Sequence, residues 1–142
     1  MAKGFKDIVI DFPGGKRVDA HFDGKTVRTD QCVENGGEGA DPEPFDLFFV
    51  SMATCVGIYV LEFCTSRNLN VEGLGVRLRS EYVPEEKRYA KISIALALPK
   101  AFPEKYRKAI LRTADLCTVK RHILHPPEFD VFIDDSKEGA SA

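Results

Sequence analysis

Two cysteine residues, Cys55 and Cys117, have the side-chain type and surroundings in this sequence that best suit chemistry. Cys55 lies inside a long apolar segment, whereas Cys117 comes far down the chain, next to basic residues and a histidine. Two thiols that folding brings together in an apolar pocket can reduce an oxidant by forming a disulfide. The competing interpretation is structural, because free cysteine is among the most buried residue types and often packs as a small apolar side chain.

The two thiols differ in their expected electrostatic surroundings. Cys55 lies too deep in its predicted helix for the helix dipole to act on it, so a thiolate there needs a cation from another element. Arg17 and Arg28 on the N-terminal strands are the available cations. Cys117 stands near the start of a short predicted helix with basic side chains following, a setting that favours a thiolate if the thiol is accessible. A packing role at the helix start is the structural alternative for Cys117.

The other cysteines and the histidines give weaker signals. Cys64 is about 2.5 helical turns from Cys55, on the opposite face of the same helix, which indicates a packing or surface residue. Cys32 lies in a glycine-rich loop with no charged residue directly beside it. Cys117 and two downstream histidines do not have a recognised zinc spacing, and a structural zinc site usually takes four ligands. With no phosphate-binding glycine loop either, the sequence predicts no metal and no cofactor.

Composition places the chain in the ordinary globular class. It has 142 residues, of which 44% are hydrophobic and 30% charged, and this predicts a single domain over residues 1–142. A net charge of −2 gives no overall attraction to nucleic acid or to an anionic membrane. Four cysteines do not make a disulfide scaffold in a chain of this length, and the first residues lack a secretory signal. We therefore expect a cytoplasmic protein.

A long central helix is the main structural prediction. Asp41 and Pro42 form a helix-start signal, and the helix is expected over about residues 42–67. Its uncharged run, residues 47–61, is shorter than the roughly 18 residues of a membrane span, which indicates a buried helix. Apolar side chains cover nearly its whole circumference, so protein must surround it. A chain of this size cannot easily do so alone, which predicts a homodimer.

The remaining segments predict an α+β fold with antiparallel strands outside and helices inside. Strands are indicated by alternating apolar residues, and turns by glycine and proline. The loop before the central helix is glycine-rich and is expected to be mobile. The predicted elements are two or three strands within residues 6–30, strands near 76–81 and 92–98, a helix from Pro103, a short helix after Cys117 and a last strand at Glu128–Ile133.

Several short motifs resemble those of a known family. They are DPEPFDL at residues 41–47, ATC at 53–55, NVEGL at 70–74 and CTV at 117–119. In this order they resemble the OsmC/Ohr family, the osmotically inducible and organic hydroperoxide resistance proteins, and specifically its less characterised branch. The resemblance implies an intertwined homodimer in which antiparallel sheets wrap around the central helices. It also implies a cofactor-free thiol peroxidase acting on organic hydroperoxides.

The resemblance further implies roles for individual residues. Cys55 resembles the peroxidatic cysteine, Cys117 the resolving cysteine, and Arg17 the activating arginine that an N-terminal strand supplies. A cellular dithiol would restore the reduced pair. The chain departs from the family pattern in having Phe45, followed by Asp46, where peroxidase members have glutamate. It also has a threonine where proline usually follows the second cysteine.

Three hypotheses about function follow. The first is a thiol-dependent peroxidase that reduces organic hydroperoxides through the Cys55/Cys117 pair. The second is a dimeric small-molecule binding protein of the same fold with weak or no peroxidase activity, which Phe45 in the acid position favours. The third is another thiol reaction in the same pocket, such as the capture of an electrophile.

Overall fold

The computed structural model describes residues 7–136. These residues form three strands, a long helix, a two-stranded hairpin and two shorter helices, in the α+β order that the sequence predicts. Both sheets are antiparallel. The described chain divides into two compact units, residues 7–47 with 129–136 and residues Phe48–Glu128.

The first unit contains a three-stranded meander. Its strands are β1 (Val9–Gly14), β2 (Arg17–Phe22) and β3 (Lys25–Thr29), which confirms the strands predicted for this part of the chain. Asp23 and Gly24 connect β2 to β3 with φ angles of 48° and 71°. Positive φ at both central residues is typical of the two-residue turn that fits the twist of a β-hairpin. The Asp-Gly signal therefore determined the register of this hairpin.

A buried carboxylate organises the glycine-rich loop that follows β3. The Asp30 side chain accepts hydrogen bonds from the backbone N–H groups of Gln31, Glu38 and Ala40 at 2.8, 3.2 and 3.2 Å. Asp30 is only 1% exposed. A side chain at Gly37 would place its Cβ 2.0 Å from the Gln31 carbonyl oxygen, so only glycine fits there. The loop was predicted correctly. The expectation that it is mobile does not agree with these contacts, because Asp30 binds the backbone at both ends of the loop.

The long helix, α1, spans Pro44–Thr65. It begins two residues later than the Asp41-Pro42 signal predicts, so Asp41 is not its N-cap. Instead, the Asp46 carboxylate accepts a hydrogen bond from the Glu43 backbone N–H at 2.9 Å. This is the contact that the acidic residue makes in a capping box, and it satisfies one of the free donors at the helix start.

One face of α1 is buried and other apolar positions on it are exposed. The buried residues are Met52, Val56, Val60, Phe63 and Cys64. Phe45, Val50 and Ile58 are about half exposed, at 54%, 50% and 48%. The apolar circumference predicted for this helix is therefore only partly covered by its own chain. By length and composition α1 also passes the test for a membrane span, a test that the core helix of a soluble protein passes as well.

The second unit packs its elements around the buried face of α1. Strands β4 (Gly75–Val83) and β5 (Arg88–Ala97) form a hairpin, and helices α2 (Arg107–Ala114) and α3 (Thr118–Leu124) follow. The inward-facing side chains of β4 and β5 join fully buried Ile110 of α2 in the core. Each of these elements was predicted, and the break before Thr118 separates the two short helices as expected.

The predicted last strand, Glu128–Ile133, does not form. Within the described residues, the chain after α3 has no regular secondary structure. Its apolar side chains point into solvent, with Phe129 86% exposed and Val131 96% exposed. The alternation of residues is strand-like, but a strand also needs a neighbour for its N–H and C=O groups. The described chain supplies none for this segment.

Candidate thiol site

The second unit brings Cys55 and Cys117 together. Cys55 lies in the middle of α1 and is partly exposed, whereas Cys117 directly precedes α3 and is 1% exposed. The two thiols are near enough to shift each other's pKa, and both are free. The start of α3 thus meets α1 at the position of Cys55. That these two thiols act as a redox pair stays a prediction.

Hydrogen bonds make Cys55 the more acidic of the two thiols. Burial alone would raise its pKa, because a desolvated thiolate is unfavourable. That effect is outweighed by donors to the sulfur, namely the Val119 N–H, the Cys117 thiol, and both the N–H and the hydroxyl of Thr118. The net result is a pKa for Cys55 below its ordinary value. Cys55 therefore forms a thiolate more readily than an ordinary cysteine does.

Cys117 has the opposite character: it is buried, so the accessibility on which the expected thiolate depended is not met. Burial raises its pKa, and the hydrogen bond with Cys55 and the negative charge there raise it further, although the Lys120 N–H partly opposes them. The Cys117 thiol also lies 3.9 Å from the Met52 carbonyl oxygen, to which it can donate. Cys117 is thus the thiol of the two that keeps its proton more readily.

The basic side chains after Cys117 are engaged elsewhere, which explains this reversal. Lys120 forms an ion pair with Asp115. The His122 Nδ1 atom donates to the Thr118 carbonyl oxygen at 2.7 Å, and Arg121 lies 3.5 Å from the Thr118 hydroxyl. A run of basic residues in the sequence did not specify which atoms their charges would reach.

Two residues of the site, Thr118 and Tyr59, were not identified from the sequence. The N–H and the hydroxyl of Thr118 both act to lower the pKa of Cys55. The Tyr59 hydroxyl lies 2.9 Å from the Thr118 hydroxyl. Tyr59 is one helical turn after Cys55, so both side chains face the start of α3. The Cys55 to Tyr59 spacing of four was the available signal, but an aromatic residue four positions away is commonplace in an apolar helix.

Arg17, the arginine predicted to assist Cys55, belongs to the first unit. Its guanidinium donates to the Glu38 carboxylate at 2.7 Å, and Glu38 lies in the loop that Asp30 organises. Asp46, which follows Phe45 at the position of the family acid, accepts a hydrogen bond from the Glu43 N–H. Glu38 is therefore an acidic partner of Arg17 in the first unit, a pairing that no motif in the sequence indicated.

The other two cysteines have raised pKa values. Cys64 is fully buried in the core, and this burial raises its pKa. The pKa of Cys32 is raised first by a hydrogen bond with the Glu43 carboxylate, and then by burial. Neither thiol is therefore prepared for nucleophilic attack. This agrees with the prediction that Cys64 is a packing residue and that Cys32 is unpromising.

An apolar cavity of about 570 Å³ adjoins Cys117. Its lining includes Met52 and Val56 from α1, Ile94 and Leu96 from β5, and Ile123 from α3. A cavity of this size and lining is typical of sites for small apolar ligands. Within residues 7–136, no group of three or more His, Cys, Asp or Glu side chains is placed to hold a metal ion.

Comparison with known proteins agrees with the architecture. A search of curated proteins finds no match to this chain. Among solved structures, a protein from Psychrobacter arcticus 273-4, described by osmotic stress induction and a detoxification response, has a TM-score of 0.72 at 23% identity, over 88% of this chain and 92% of that one.

Two further structures have the same fold. An organic hydroperoxide resistance protein OsmC from Legionella pneumophila has a TM-score of 0.59 at 20% identity, over 87% of this chain and 91% of that one. A hypothetical protein from Aquifex aeolicus VF5 has a TM-score of 0.61 at 16% identity, over 87% and 90%. The sequence model of the OsmC-like protein family matches residues 36–132, which include α1, both paired cysteines and the hairpin. The chain therefore belongs to the OsmC-like protein family.

Proposed function

We propose that this protein is a thiol-dependent peroxidase that reduces organic hydroperoxides through Cys55 and Cys117. One observation carries the proposal: the fold brings two free thiols together against one core, Cys55 with a lowered pKa and Cys117 with a raised pKa. Such a pair combines a nucleophile with a thiol that can later form a disulfide with it. Family membership and the hydroperoxide resistance named for the Legionella pneumophila protein support the same chemistry.

The reaction would proceed in two steps at these sulfur atoms. The Cys55 thiolate attacks the outer oxygen of the hydroperoxide, the O–O bond breaks, and the alkoxide leaves and takes up a proton to become an alcohol. Cys55 is then a sulfenic acid. The Cys117 thiol condenses with it, forming the disulfide and releasing water. A cellular dithiol restores both thiols by exchange and is itself oxidised to a disulfide.

The apolar cavity supports an organic hydroperoxide as substrate in preference to hydrogen peroxide. Most of its lining is apolar side chains of α1, β5, α2 and α3, with the charged residues Arg112, Asp115 and Lys120 also present. An alkyl group placed there removes apolar surface from water, which stabilises binding by roughly 25 cal/mol per Å² buried. Hydrogen peroxide has no apolar group with which to gain this stabilisation.

The test follows the sulfur chemistry by mass spectrometry. With excess cumene hydroperoxide, the wild-type protein should link Cys55 to Cys117 and consume hydroperoxide as long as a dithiol is supplied. Cys55→Ser should abolish consumption. Cys117→Ser should permit a single oxidation, after which Cys55 accumulates as sulfinic acid. Cys32→Ser is the matched control and should behave as wild type. Consumption at the wild-type rate by Cys55→Ser would refute the proposal.

Arg17 is proposed to assist this chemistry, as the family resemblance implies. A nearby guanidinium favours a thiolate over a thiol. Arg17→Ala should then raise the pKa of Cys55 and slow hydroperoxide reduction, whereas Arg28→Ala, from the neighbouring strand, should do neither. An unchanged pH profile in Arg17→Ala would remove Arg17 from the mechanism and leave the two cysteines in it.

A binding protein is the second candidate function. The apolar cavity and Phe45, in place of the family acid, favour it. On this hypothesis apolar ligands bind with the thiols unchanged. Calorimetry with cumyl alcohol, the reduced form of the test hydroperoxide, would show tight binding while hydroperoxide consumption stays at background. Steady consumption of hydroperoxide over many turnovers per thiol pair would exclude the hypothesis of a binding protein.

We also propose a cytoplasmic homodimer. The half-exposed apolar positions of α1 and the exposed apolar segment after α3 support a second copy as the missing cover. The reducing cytoplasm would supply the dithiol on which turnover depends. Neither nucleic acid nor a membrane is a proposed partner, given the small net charge of −2.

A further inference from the structure

The exposed face of helix α2 is strongly basic. The helix carries Arg107, Lys108 and Arg112 and no acidic residue, and Lys105 lies two positions before its start. All four of these side chains are exposed, whereas Ile110 on the opposite face is fully buried. Among the residues that the structure describes, neither Lys108 nor Arg112 forms an ion pair. The protein itself therefore leaves part of this positive charge uncompensated.

This basic face adjoins the thiol pair. Arg112 lines the apolar cavity that Cys117 also lines, and so does Leu111, which is 59% exposed. Lys108 lies one helical turn before both of them. An exposed apolar side chain with charged side chains around it is typical of protein interfaces, which have an apolar centre and a polar rim. We call Lys105, Lys108, Leu111 and Arg112 the α2 surface.

We propose that the α2 surface is the docking site of the reducing partner, and that this partner is a protein whose reactive dithiol is surrounded by acidic residues. The inference rests on the proposed function, in which a dithiol must reach the Cys55–Cys117 disulfide after each oxidation. Charge complementarity argues for an acidic partner, because its carboxylates would meet cations that have no partner in this chain. Opposite charges also raise association rates, by about 10- to 1,000-fold.

The exchange takes two steps. One thiolate of the partner attacks the sulfur of Cys55, which is partly exposed, whereas Cys117 is 1% exposed. A mixed disulfide forms between the partner and Cys55, the Cys55–Cys117 bond breaks, and Cys117 takes up a proton. The partner's second thiol then loses its proton and attacks the partner's first sulfur, so that Cys55 leaves as a thiolate and the partner is oxidised to a disulfide.

The test uses a disulfide that is made without hydroperoxide. Diamide oxidises the wild-type protein, and mass spectrometry identifies the link between Cys55 and Cys117. Two synthetic dithiol peptides with the core Cys-Gly-Pro-Cys then reduce it, one flanked on each side by two glutamates and the other by two lysines. Each peptide is also reacted with hydroxyethyl disulfide, which is uncharged, and its rate with the protein is divided by that rate to correct for the intrinsic reactivity of its thiols.

The corrected rates measure the effect of charge at the docking site. At low salt the glutamate peptide should reduce the wild-type disulfide at least about tenfold faster than the lysine peptide. At about 1 M salt the difference should shrink, because the Debye length falls to about 3 Å.

Two double variants locate the effect. Lys105→Glu/Lys108→Glu reverses two charges of the α2 surface outside the cavity lining, and it should remove the preference for the glutamate peptide. Reduction by dithiothreitol, which is uncharged, should be unchanged in this variant. Arg77→Glu/Arg79→Glu is the matched control, since it makes the same change in net charge at exposed positions of β4 that alternate with core-facing residues. The control should keep the wild-type preference.

Equal corrected rates of the two peptides with the wild-type protein would overturn the inference, and so would a failure of diamide to link the two cysteines. An equal loss of preference in Arg77→Glu/Arg79→Glu would overturn it as well, because net charge and not the α2 surface would then decide. Sedimentation is measured on the same proteins. A changed oligomeric state in Lys105→Glu/Lys108→Glu would mean that a second copy covers this surface, which also overturns the inference.

Hydroperoxide consumption by the wild-type protein separates this inference from the proposed function. If the peptides and variants follow the expected order but no hydroperoxide is consumed, the docking surface stands and the proposed peroxidase function fails. If hydroperoxide is consumed but the two peptides are equivalent, the peroxidase stands and the docking surface fails.

Discussion

At the scale of single residues, Cys55 and Cys117 control each other's protonation. Each thiol is partly desolvated, and this effect by itself would raise the pKa of both. The two then diverge because hydrogen-bond donors lower the pKa of Cys55, whereas the neighbouring Cys55 raises the pKa of Cys117 further. Two chemically identical side chains thus acquire different roles from their neighbours, the pattern by which paired titratable groups divide their tasks in an active site.

This coupling predicts a measurable effect of one cysteine on the other. In Cys55→Ser the negative charge opposite Cys117 is absent, so the pKa of Cys117 should fall and its thiolate fraction at neutral pH should rise. Cys117 should therefore be alkylated several-fold faster at neutral pH than in wild type, as an increase of about fivefold in thiolate corresponds to about 1 kcal/mol. Peptide mass spectrometry after timed alkylation measures it.

The matched control for that experiment is Cys64→Ser. Cys64 is buried on the other side of α1, and it takes no part in the pairing of Cys55 with Cys117. The Cys64→Ser substitution should therefore leave the alkylation rate of Cys117 unchanged. A Cys117 rate that is the same in Cys55→Ser and in wild type would mean that burial alone sets the pKa of Cys117.

The sequence identified the two cysteines but not the atoms that act on them. A thiol inside an apolar helix is recognisable, and the motifs around it fixed the family. The donors at the start of α3 are mostly backbone N–H groups. Every residue except proline carries such a group, so the residue types in the sequence do not indicate which N–H groups will act on Cys55. The role of Thr118 and the occupied charges of Lys120 and Arg121 follow from tertiary geometry alone.

At the scale of elements, the loop after β3 depends on a single carboxylate. Three backbone N–H groups donate to Asp30, which is almost completely buried. The Gln31 N–H contributes most to lowering the pKa of Asp30, while burial opposes it. The loop in turn carries Glu38, the partner of Arg17. Its order is therefore linked to the placement of a proposed functional side chain.

This link predicts a pH-dependent stability difference. Because the pKa of Asp30 is lower in the folded state, its contribution to stability is present above the unfolded value of about 3.9 and is lost as pH falls through the lower folded value. Asp30→Asn should lower the melting temperature by several degrees at neutral pH, because an amide oxygen accepts hydrogen bonds from backbone N–H groups less strongly than a carboxylate does. Below about pH 4 the difference from wild type should shrink.

Thermal melts by circular dichroism at a series of pH values measure this effect. Asp7→Asn is the control, since Asp7 is exposed and its replacement should leave the melting temperature unchanged at every pH. A deficit in Asp30→Asn that stays constant down to strongly acidic pH would mean that the carboxylate charge is not what organises the loop.

Secondary structure was largely predictable because it follows local patterns. The turn at Asp23-Gly24, the alternation in β5 and the break at Cys117 are all local signals. The start of α1 was placed two residues early because Asp41-Pro42 and Glu43-Pro44 give similar signals, and only the Asp46 contact distinguishes them. Glu128–Ile133 was mistaken for a strand because alternation records side-chain preference and not whether a pairing edge is present.

At the scale of the whole molecule, the exposed apolar positions predict assembly. Phe132 is 75% exposed and lies in a segment with three other strongly exposed apolar residues. We expect a homodimer at low micromolar concentration, measured by light scattering or analytical ultracentrifugation. A stable folded monomer at that concentration would contradict the proposal, because half-exposed apolar helix faces then need no cover.

A substitution in the segment after α3 tests whether that segment forms part of the proposed dimer interface. Phe132→Asp should weaken the dimer by at least tenfold, since burying an unpaired carboxylate costs more than about 1.4 kcal/mol. Asp130→Asn, in the same segment, is the control and should leave the dimer intact. If Phe132→Asp assembles as wild type does, the segment after α3 is not part of the interface, and the exposed positions of α1 remain as the candidate surface.

The proton that Cys117 retains also sets the timing of the proposed cycle. As long as Cys55 carries its negative charge, that charge raises the pKa of Cys117 and keeps the second thiol unreactive. Conversion of Cys55 to a neutral sulfenic acid removes the charge, and the pKa of Cys117 falls at the moment when its thiolate is needed. In the proposed cycle the first oxidation would thus activate the second thiol, so that the resting protein holds one nucleophile and the oxidised protein gains the other.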